Sequence, residues 1–355
     1  MTSPNPYDNL LSKRTPRITI YLGSFNRQSR LNESLKSISE QSFSDFDILI
    51  TDNGSNPPLQ LPAFALIDPR YQLVRLSQNQ DRFITPYELI KSFKSEYIAF
   101  ACDDDIWHPQ KLEKQIAFLD GSPEIGACFT RIVPVDDNGA ELKFPPKPFN
   151  GIFDAANRSR AGWVRQFFHN GNCVCFPSAL IRREVLESIM VRVPYIQLGD
   201  LFLWIGVLRH GSIHIMEEKL IRYRISLKGE QESAKSKRNI SRLVYELSRL
   251  LHDFRKLPTS VIFEAFNPVF PDDCRDERDR ADFALFVEAM NNGSQSHLRF
   301  ASELAEANFI ARALDPNSNS AIFWHKRYEL ATARVALKLS RRERITRSLK
   351  KLFHF

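Results

Sequence analysis

Tyr97-Ile98-Ala99-Phe100-Ala101-Cys102-Asp103-Asp104-Asp105 is an apolar run that ends abruptly in three carboxylates. A strand that is apolar at nearly every position is buried on both faces, which marks the interior of a sheet covered by helices. Pro109 opens the next segment, and Leu112, Ile116 and Leu119 recur behind it at helical spacing. The three aspartates therefore hang at the carboxyl end of a central strand, the edge at which open α/β sheets bind ligands.

The same rhythm extends outward in both directions. Arg17 to Leu22 reads as a first strand, followed by the polar loop Gly23 to Ser29 and a helix carrying Leu31, Leu35 and Ile38. Asp47 to Thr51 is a second strand that ends at Asp52, before the turn cluster Asn53 to Pro58, and Gln72 to Leu76 is a third. Downstream, Ile125 to Val135 and Cys173 to Ile181 read as strands, with Phe144 to Phe149 a loop or flap between them. Gly199 to Arg209 reads as a helix with Leu201, Trp204 and Leu208 inside, and Ser212 to Met216 and Leu220 to Ile225 as two further strands. The polar stretch Ser226 to Lys237 is a candidate boundary, because beyond it Ile240, Leu243, Val244, Leu247, Leu251 and Phe254 keep helical spacing. The expected organisation is an N-terminal extension over 1–16, an α/β domain over 17–227, and a helical region over 238–355 ending in a basic amphipathic stretch, 331–355.

Composition narrows the function classes. A chain of 355 residues exceeds one ordinary core, and 43% hydrophobic with 26% charged residues is an ordinary globular balance. The first fifteen residues hold no apolar run of signal-peptide length, and no ~18 uncharged apolar residues follow one another. Cys102, Cys128, Cys173, Cys175 and Cys274 form a sparse, odd set without the second pair a zinc site needs, as expected of reduced thiols in a cytoplasmic protein. The net charge of +7 is local: residues 331–355 hold eight basic residues and Glu343, 8 − 1 = +7, so the rest of the chain sums to zero. Such a distribution points to contact with an anionic membrane surface and away from a nucleic-acid groove.

Adjacent carboxylates repel by roughly 1 to 4 kcal/mol per pair at ~4 Å unless a cation lies among them. Mg²⁺ or Mn²⁺, which takes one or two carboxylates and completes its shell with water and phosphate oxygens, suits Asp103 to Asp105; a solvated acidic turn before a helix is the alternative. Asp52 ends a neighbouring strand, where a carboxylate meets a nucleoside or opens an Asx turn. Phe25 offers a face to a base and Arg27 a charge to a phosphate, while the Gly23 to Arg27 loop lacks the glycine patterns of dehydrogenases and P-loop proteins.

In order and spacing, Ile20 to Arg27 (I-Y-L-G-S-F-N-R), Gln41 to Asn56 (Q-S-F-S-D-F-D-I-L-I-T-D-N-G-S-N) and Glu96 to Gln115 (E-Y-I-A-F-A-C-D-D-D-I-W-H-P-Q-K-L-E-K-Q) resemble the inverting glycosyltransferases of family 2 with the GT-A fold. Leu198 to Gly211 (L-G-D-L-F-L-W-I-G-V-L-R-H-G) and Leu220 to Ile225 (L-I-R-Y-R-I) resemble that family's acceptor-side signatures. The resemblance implies a Rossmann-like, mainly parallel nucleotide-diphospho-sugar transferase sheet. It also implies that Ser24, Phe25, Arg27, Asp52, Asp103 and Asp104 hold a nucleotide-sugar, that Asp104 and Asp105 hold a divalent metal, that Asp200 is the general base, and that Trp204 shapes an acceptor pocket. Cys102 stands where many members carry the first metal-motif aspartate, and Gly199 replaces the usual glutamate before the base. The expected reaction moves a sugar from a UDP- or dTDP-sugar to a saccharide or lipid-linked acceptor in bacterial surface polysaccharide assembly, in the cytoplasm or at the inner face of the membrane. A nucleotidyltransferase on a similar sheet, and an inactive scaffold that binds membrane or nucleic acid, are the alternatives.

Overall fold

The computed structural model describes residues 15–79, 94–146, 149–189, 195–226, 237–271, 274, 276–312 and 319–353, including all of their side chains except those of 237–239, 319–320 and 339–353. Most of the expected extension 1–16, nearly all of the boundary stretch 226–237 and part of the flap 144–149 lie outside these residues. Two compact units emerge, one spanning Met1–Trp163 with Gly171–Ala234, the other Val164–Asn170 with Lys235–Phe355.

In the first unit, chain order runs β1 (Ile18–Ser24), α1 (Gln28–Ser39), β2 (Phe46–Asp52), α2 (Ala63–Leu66), β3 (Tyr71–Arg75), β4 (Tyr97–Cys102), β5 (Ile106–Trp107), α3 (Lys111–Asp120) and β6 (Ile125–Val135). It continues through α4 (Arg160–Asn170), which the two units share, then β7 (Leu180–Arg182), α5 (Arg183–Ile189), α6 (Gly199–Val207) and β8 (Ser212–Arg224). The strands form one sheet in the order β3-β2-β1-β4-β7-β6-β8-β5. Pairs β1–β2, β2–β3, β1–β4 and β6–β8 are parallel, whereas β7 and β5 pair antiparallel, so the sheet is mixed.

Helix α1 covers the sheet through Leu31, Leu35 and Ile38, each 0% exposed, and α3 does so through Leu112, Ile116 and Leu119. Burial of these side chains in one cluster with the sheet's apolar residues, worth roughly 1.5 to 3 kcal/mol each, fixes the helices on the sheet. Register then sets the functional edge: Ser24 lies opposite Asp52, and Gly23 opposite both Thr51 and Cys102. Strand order turns back between β1 and β4, so a crevice opens at the carboxyl ends of those two strands.

Two expectations are corrected. Cys173 to Ile181 is not one strand, because Pro177 has no backbone N–H to give a ladder and 176–178 turn as a 3-10 helix, leaving Leu180–Arg182 as β7. Ser212 to Met216 and Leu220 to Ile225 are a single strand: Thr130 faces Met216 while Arg131 faces Lys219, so exposed Glu217 and Glu218 form a bulge in β8.

The second unit is helical, with α7 (Lys237–Leu250), a 3-10 segment Leu251–Lys256, α8 (Thr259–Phe266), α9 (Glu277–Asn292), α10 (Gln295–Arg312) and α11 (Asn319–Phe353). Phe168 lies at its centre, edge-on to the rings of Phe254, Phe266 and Phe300. Asp282, 0% exposed, accepts hydrogen bonds from Arg255 (2.9 and 2.7 Å), Arg278 (3.1 Å) and Asn308 (3.1 Å), so its charge is fully paired. Among the described residues no helix is long and apolar enough to cross a membrane.

Candidate active site

The crevice is built from the ends of three parallel strands. Ser24 closes β1, and its hydroxyl donates to Asp103 Oδ2 at 2.7 Å. Arg27 stands just before α1, its Nη1 3.2 Å from Asp103 Oδ1 and 3.2 Å from Asp104 Oδ2, so one guanidinium ties the β1 loop to the aspartate run. Phe25, 38% exposed, lies beside them at the surface. Asn26 takes a positive φ of 54°, which Asn tolerates, and holds the next loop by donating from its N–H to Ser55 Oγ and accepting at Oδ1 from the Asn56 N–H.

Asp52 is 2% exposed, and both of its oxygens serve its own loop: Oδ1 accepts from the Ser55 N–H and Oδ2 from the Leu59 N–H, each at 2.9 Å. Burial opposes its ionisation, but the Ser55 and Leu59 hydrogen bonds and the Arg75 charge outweigh it and hold the carboxyl below its ordinary value. Gly54 makes this loop feasible, since its φ of 80° favours glycine and a Cβ would lie 2.6 Å from the Gln78 carbonyl carbon. The carboxylate expected to meet a nucleoside is thus occupied in shaping the wall of the crevice.

The three consecutive aspartates have different surroundings. Asp103 is 5% exposed, and burial together with the neighbouring Asp104 charge pushes its pKa up to about 6 despite Ser24 and Arg27. Asp105 is 1% exposed, and burial with the Asp104 charge raises it well above the carboxylate range. Its Oδ1 accepts from the Arg224 N–H at 3.0 Å, while Oδ2 is buried with no hydrogen-bond partner among the described residues. Asp104 keeps 32% of its side chain exposed. Sulfur of Cys102 and carboxylate oxygens of Asp104 and Asp105 lie within 4.8 Å of one another. An orphaned buried oxygen beside a second carboxylate fits a hard divalent cation, whereas the thiol does not suit Mg²⁺.

Arg224 on β8 is turned away from solvent. It is 5% exposed and donates to the Asp104 carbonyl (2.9 Å), the Asp136 and Asp137 carbonyls (3.2 and 2.8 Å) and Glu33 (2.8 Å). With Ser34 Oγ bound to the Cys102 carbonyl at 3.0 Å, it clamps the aspartate loop from beneath. Arg222 is exposed and reaches the Gly139 carbonyl at 2.7 Å.

Asp200 lies in the first turn of α6, where its Oδ1 accepts from the Leu201 N–H and its Oδ2 from Asn172 Nδ2, both at 2.7 Å. Asn172 is itself locked, with Oδ1 accepting from the Val174 N–H (3.0 Å) and Nδ2 also meeting the Val174 carbonyl (3.1 Å). The buried Cys175 thiol is pushed up first by burial and then by the charge of Asp105, with a smaller push from Asp200. Asp105 and Asp200 thus both act on one buried thiol, although nearly a hundred residues separate them in sequence.

Trp204 corrects another expectation. It is 0% exposed and packs edge-on against Phe129 at 4.7 Å, so it belongs to the core and not to a pocket wall. Lys111, which the sequence reading passed over, is also 0% exposed, with Nζ 2.8 Å from Gln115 Oε1 and 3.9 Å from the centre of the Trp107 ring. The only signal for it was its place one residue before Leu112 on the buried side of α3. Asn172 announced itself only as a turn residue before an apolar stretch.

Residues 19–190 match the profile described as Glycosyl transferase family 2. The chain is 25% identical over 215 residues to the putative teichuronic acid biosynthesis glycosyltransferase TuaG of Bacillus subtilis, covering 59% of this chain and 79% of that protein. It is 22% identical over 256 residues to the Escherichia coli UDP-Glc:alpha-D-GlcNAc-diphosphoundecaprenol beta-1,3-glucosyltransferase WfgD, covering 70% and 91%. Among solved structures, residues 1–349 of TarS from S. aureus, in complex with UDP, superimpose with a TM-score of 0.50 at 12% identity, over 89% of this chain and 90% of that one, a likeness of fold.

Proposed function

Since the chain belongs, through residues 19–190, to glycosyl transferase family 2 and is a GT-A glycosyltransferase, we propose that it transfers a sugar with inversion from a UDP- or dTDP-sugar to a saccharide or lipid-linked acceptor of a bacterial surface polysaccharide. The observation that carries this reading is the pairing of open Asp104 with the orphaned Asp105 oxygen at the carboxyl end of β4, together with Asp200 held by Asn172 at the start of α6. The similarity to the E. coli beta-1,3-glucosyltransferase, named for a UDP-sugar donor and a lipid diphosphate acceptor, supports the donor and acceptor classes.

In this reading Ser24, Phe25 and Arg27 line the nucleotide side, and Asp52 and Asp103 act by holding the loops that form it. Asp104 and Asp105 would hold Mg²⁺ or Mn²⁺. Such an ion, when bound, stabilises the negative charge that grows on the departing nucleoside diphosphate. Asp200, oriented by Asn172, takes the proton from the acceptor hydroxyl as that oxygen attacks the anomeric carbon. Attack from the face opposite the leaving group inverts the centre.

A panel of nucleotide-sugars with Mn²⁺, Mg²⁺ or chelator tests the proposal through the product released. Metal-dependent release of a nucleoside diphosphate is the expected result. Pyrophosphate release points instead to nucleotidyl transfer, and absence of both turnover and ligand-induced stabilisation across the panel points to an inactive scaffold.

A further inference from the structure

We propose that the Cys102 thiol joins Asp104 and Asp105 as a third ligand of the cation site, so that the site selects Mn²⁺, Co²⁺ or Zn²⁺ over Mg²⁺. The proposal rests on the metal-dependent reading above and adds to it the identity of the ion.

The aspartate run sorts its own members. Both oxygens of Asp103 accept within the protein, from Ser24 at 2.7 Å and from Arg27 at 3.2 Å. Cys102, Asp104 and Asp105 remain, and their sulfur and carboxylate oxygens lie within 4.8 Å of one another. Asp105 is 1% exposed, and while the Arg224 N–H holds its Oδ1, its Oδ2 meets no hydrogen-bond donor among the described residues. Burying a carboxylate oxygen without a donor is costly, and a cation beside it removes the cost.

Position explains why the thiol belongs to this group. Cys102 is the last residue of β4, and β7 pairs with β4 at Tyr97, Ile98 and Ala99 without reaching it. On the other side its partner on β1 is Gly23, so no side chain stands directly across the sheet from it. Cys102 is partly exposed, whereas the other four cysteines are buried, as cysteines kept for packing are. The Asp105 N–H donates back to the Cys102 carbonyl at 3.4 Å, which closes a turn that carries the sulfur and both carboxylates together. Ser34 Oγ on the Cys102 carbonyl (3.0 Å) and Arg224 on the Asp104 carbonyl (2.9 Å) hold that turn in place.

Sulfur then chooses the ion. Mg²⁺ asks for an octahedron of hard oxygen ligands and gains little from a thiolate, whereas the later divalent ions accept one. On binding, the S–H bond is replaced by a sulfur–metal bond and the proton leaves to solvent, with no oxidant or reductant involved. An aspartate at position 102 would make the set all oxygen and narrow the gap between Mg²⁺ and Mn²⁺.

Co²⁺ added to the reduced full chain, alone and with UDP or dTDP, reads the thiol without turnover. The expected result is a sulfur-to-cobalt charge-transfer band that Cys102→Ser abolishes. In scanning fluorimetry, the Co²⁺ concentration at half-stabilisation should rise in Cys102→Ser by more than the about tenfold that a residue merely supporting a ligand is worth, while the Mg²⁺ value stays near wild type. Cys102→Asp should bring the Mg²⁺ and Mn²⁺ values closer together than they are in the wild type. A wild-type chain that Co²⁺ stabilises without the band, equal wild-type values for Mg²⁺ and Mn²⁺, or a band that persists in Cys102→Ser would each overturn the proposal, and the first two need no variant to fold. Each of these leaves the metal reading standing as long as Asp104→Ala abolishes ion-dependent stabilisation, whereas no stabilisation of the wild type by any ion removes both.

Discussion

Asp104 differs from its neighbours in one respect: its carboxylate meets solvent, whereas those of Asp103 and Asp105 are enclosed by Ser24, Arg27 and Arg224. Asp104→Ala should abolish Mn²⁺-dependent stabilisation by a nucleotide-sugar while the melting temperature without ligand stays near wild type, because a partly exposed carboxylate contributes charge and not packing. Persistent Mn²⁺-dependent binding in that variant would move the metal elsewhere. Asp200→Asn keeps the shape of the side chain and removes the base, so turnover should fall by ~10² to 10⁴ while nucleotide affinity is kept. Asn172→Ala, which frees Asp200 to rotate, should lower turnover less than Asp200→Asn does, again with donor affinity unchanged. Turnover of Asp200→Asn within threefold of wild type would remove it as the base. Lys111 gives a stability test: burial lowers its pKa from 10.5 to about 7, so between those values the unfolded chain binds more protons than the folded one. Stability should therefore rise with pH from about 7 to 10.5, and urea titrations of Lys111→Met should lose that rise.

The elements carry a second pH effect through α10. His297 is 3% exposed, with Nδ1 2.6 Å from Ser294 Oγ and Nε2 2.7 Å from the Phe168 carbonyl. A carbonyl only accepts, so Nε2 carries the proton, the ring is neutral, and Nδ1 accepts from the serine. Burial lowers the imidazole pKa from 6.5 to about 4. Between these values the unfolded chain again binds more protons, so the contribution of α10 is complete above pH 6.5 and falls as pH drops toward 4. Unfolding of the helical unit followed at pH 7 and pH 5 should show a wild-type loss that His297→Gln lacks. Among the strands, those with simple periodicity, β1, β2, β4 and β6, were legible to within two residues. The single β8 was not, because Glu217 and Glu218 are the composition of a turn, and only pairing with β6 tells a bulge from a break.

At the scale of the molecule, a nucleotide-sugar that binds the first unit should stabilise it as a whole. At about 100 times its dissociation constant a ligand contributes about 2.7 kcal/mol, which for a unit of this size corresponds to a rise of roughly 5 to 10 °C in melting temperature with Mn²⁺ present. Scanning fluorimetry with and without metal checks this, and no rise at any ligand concentration would count against the donor assignment. The sequence by itself determined the α/β rhythm, the placing of Asp103 to Asp105 at a strand end and the family, because burial on two faces and helical spacing are local patterns that one strand or helix displays alone. The tertiary structure decided which carboxylate stays open, that Arg224 is a clamp and Trp204 a core residue, and that Asn172 holds Asp200. Those roles depend on desolvation and on partners up to about 190 residues away, as between Arg224 and Glu33, and a linear pattern carries no record of either.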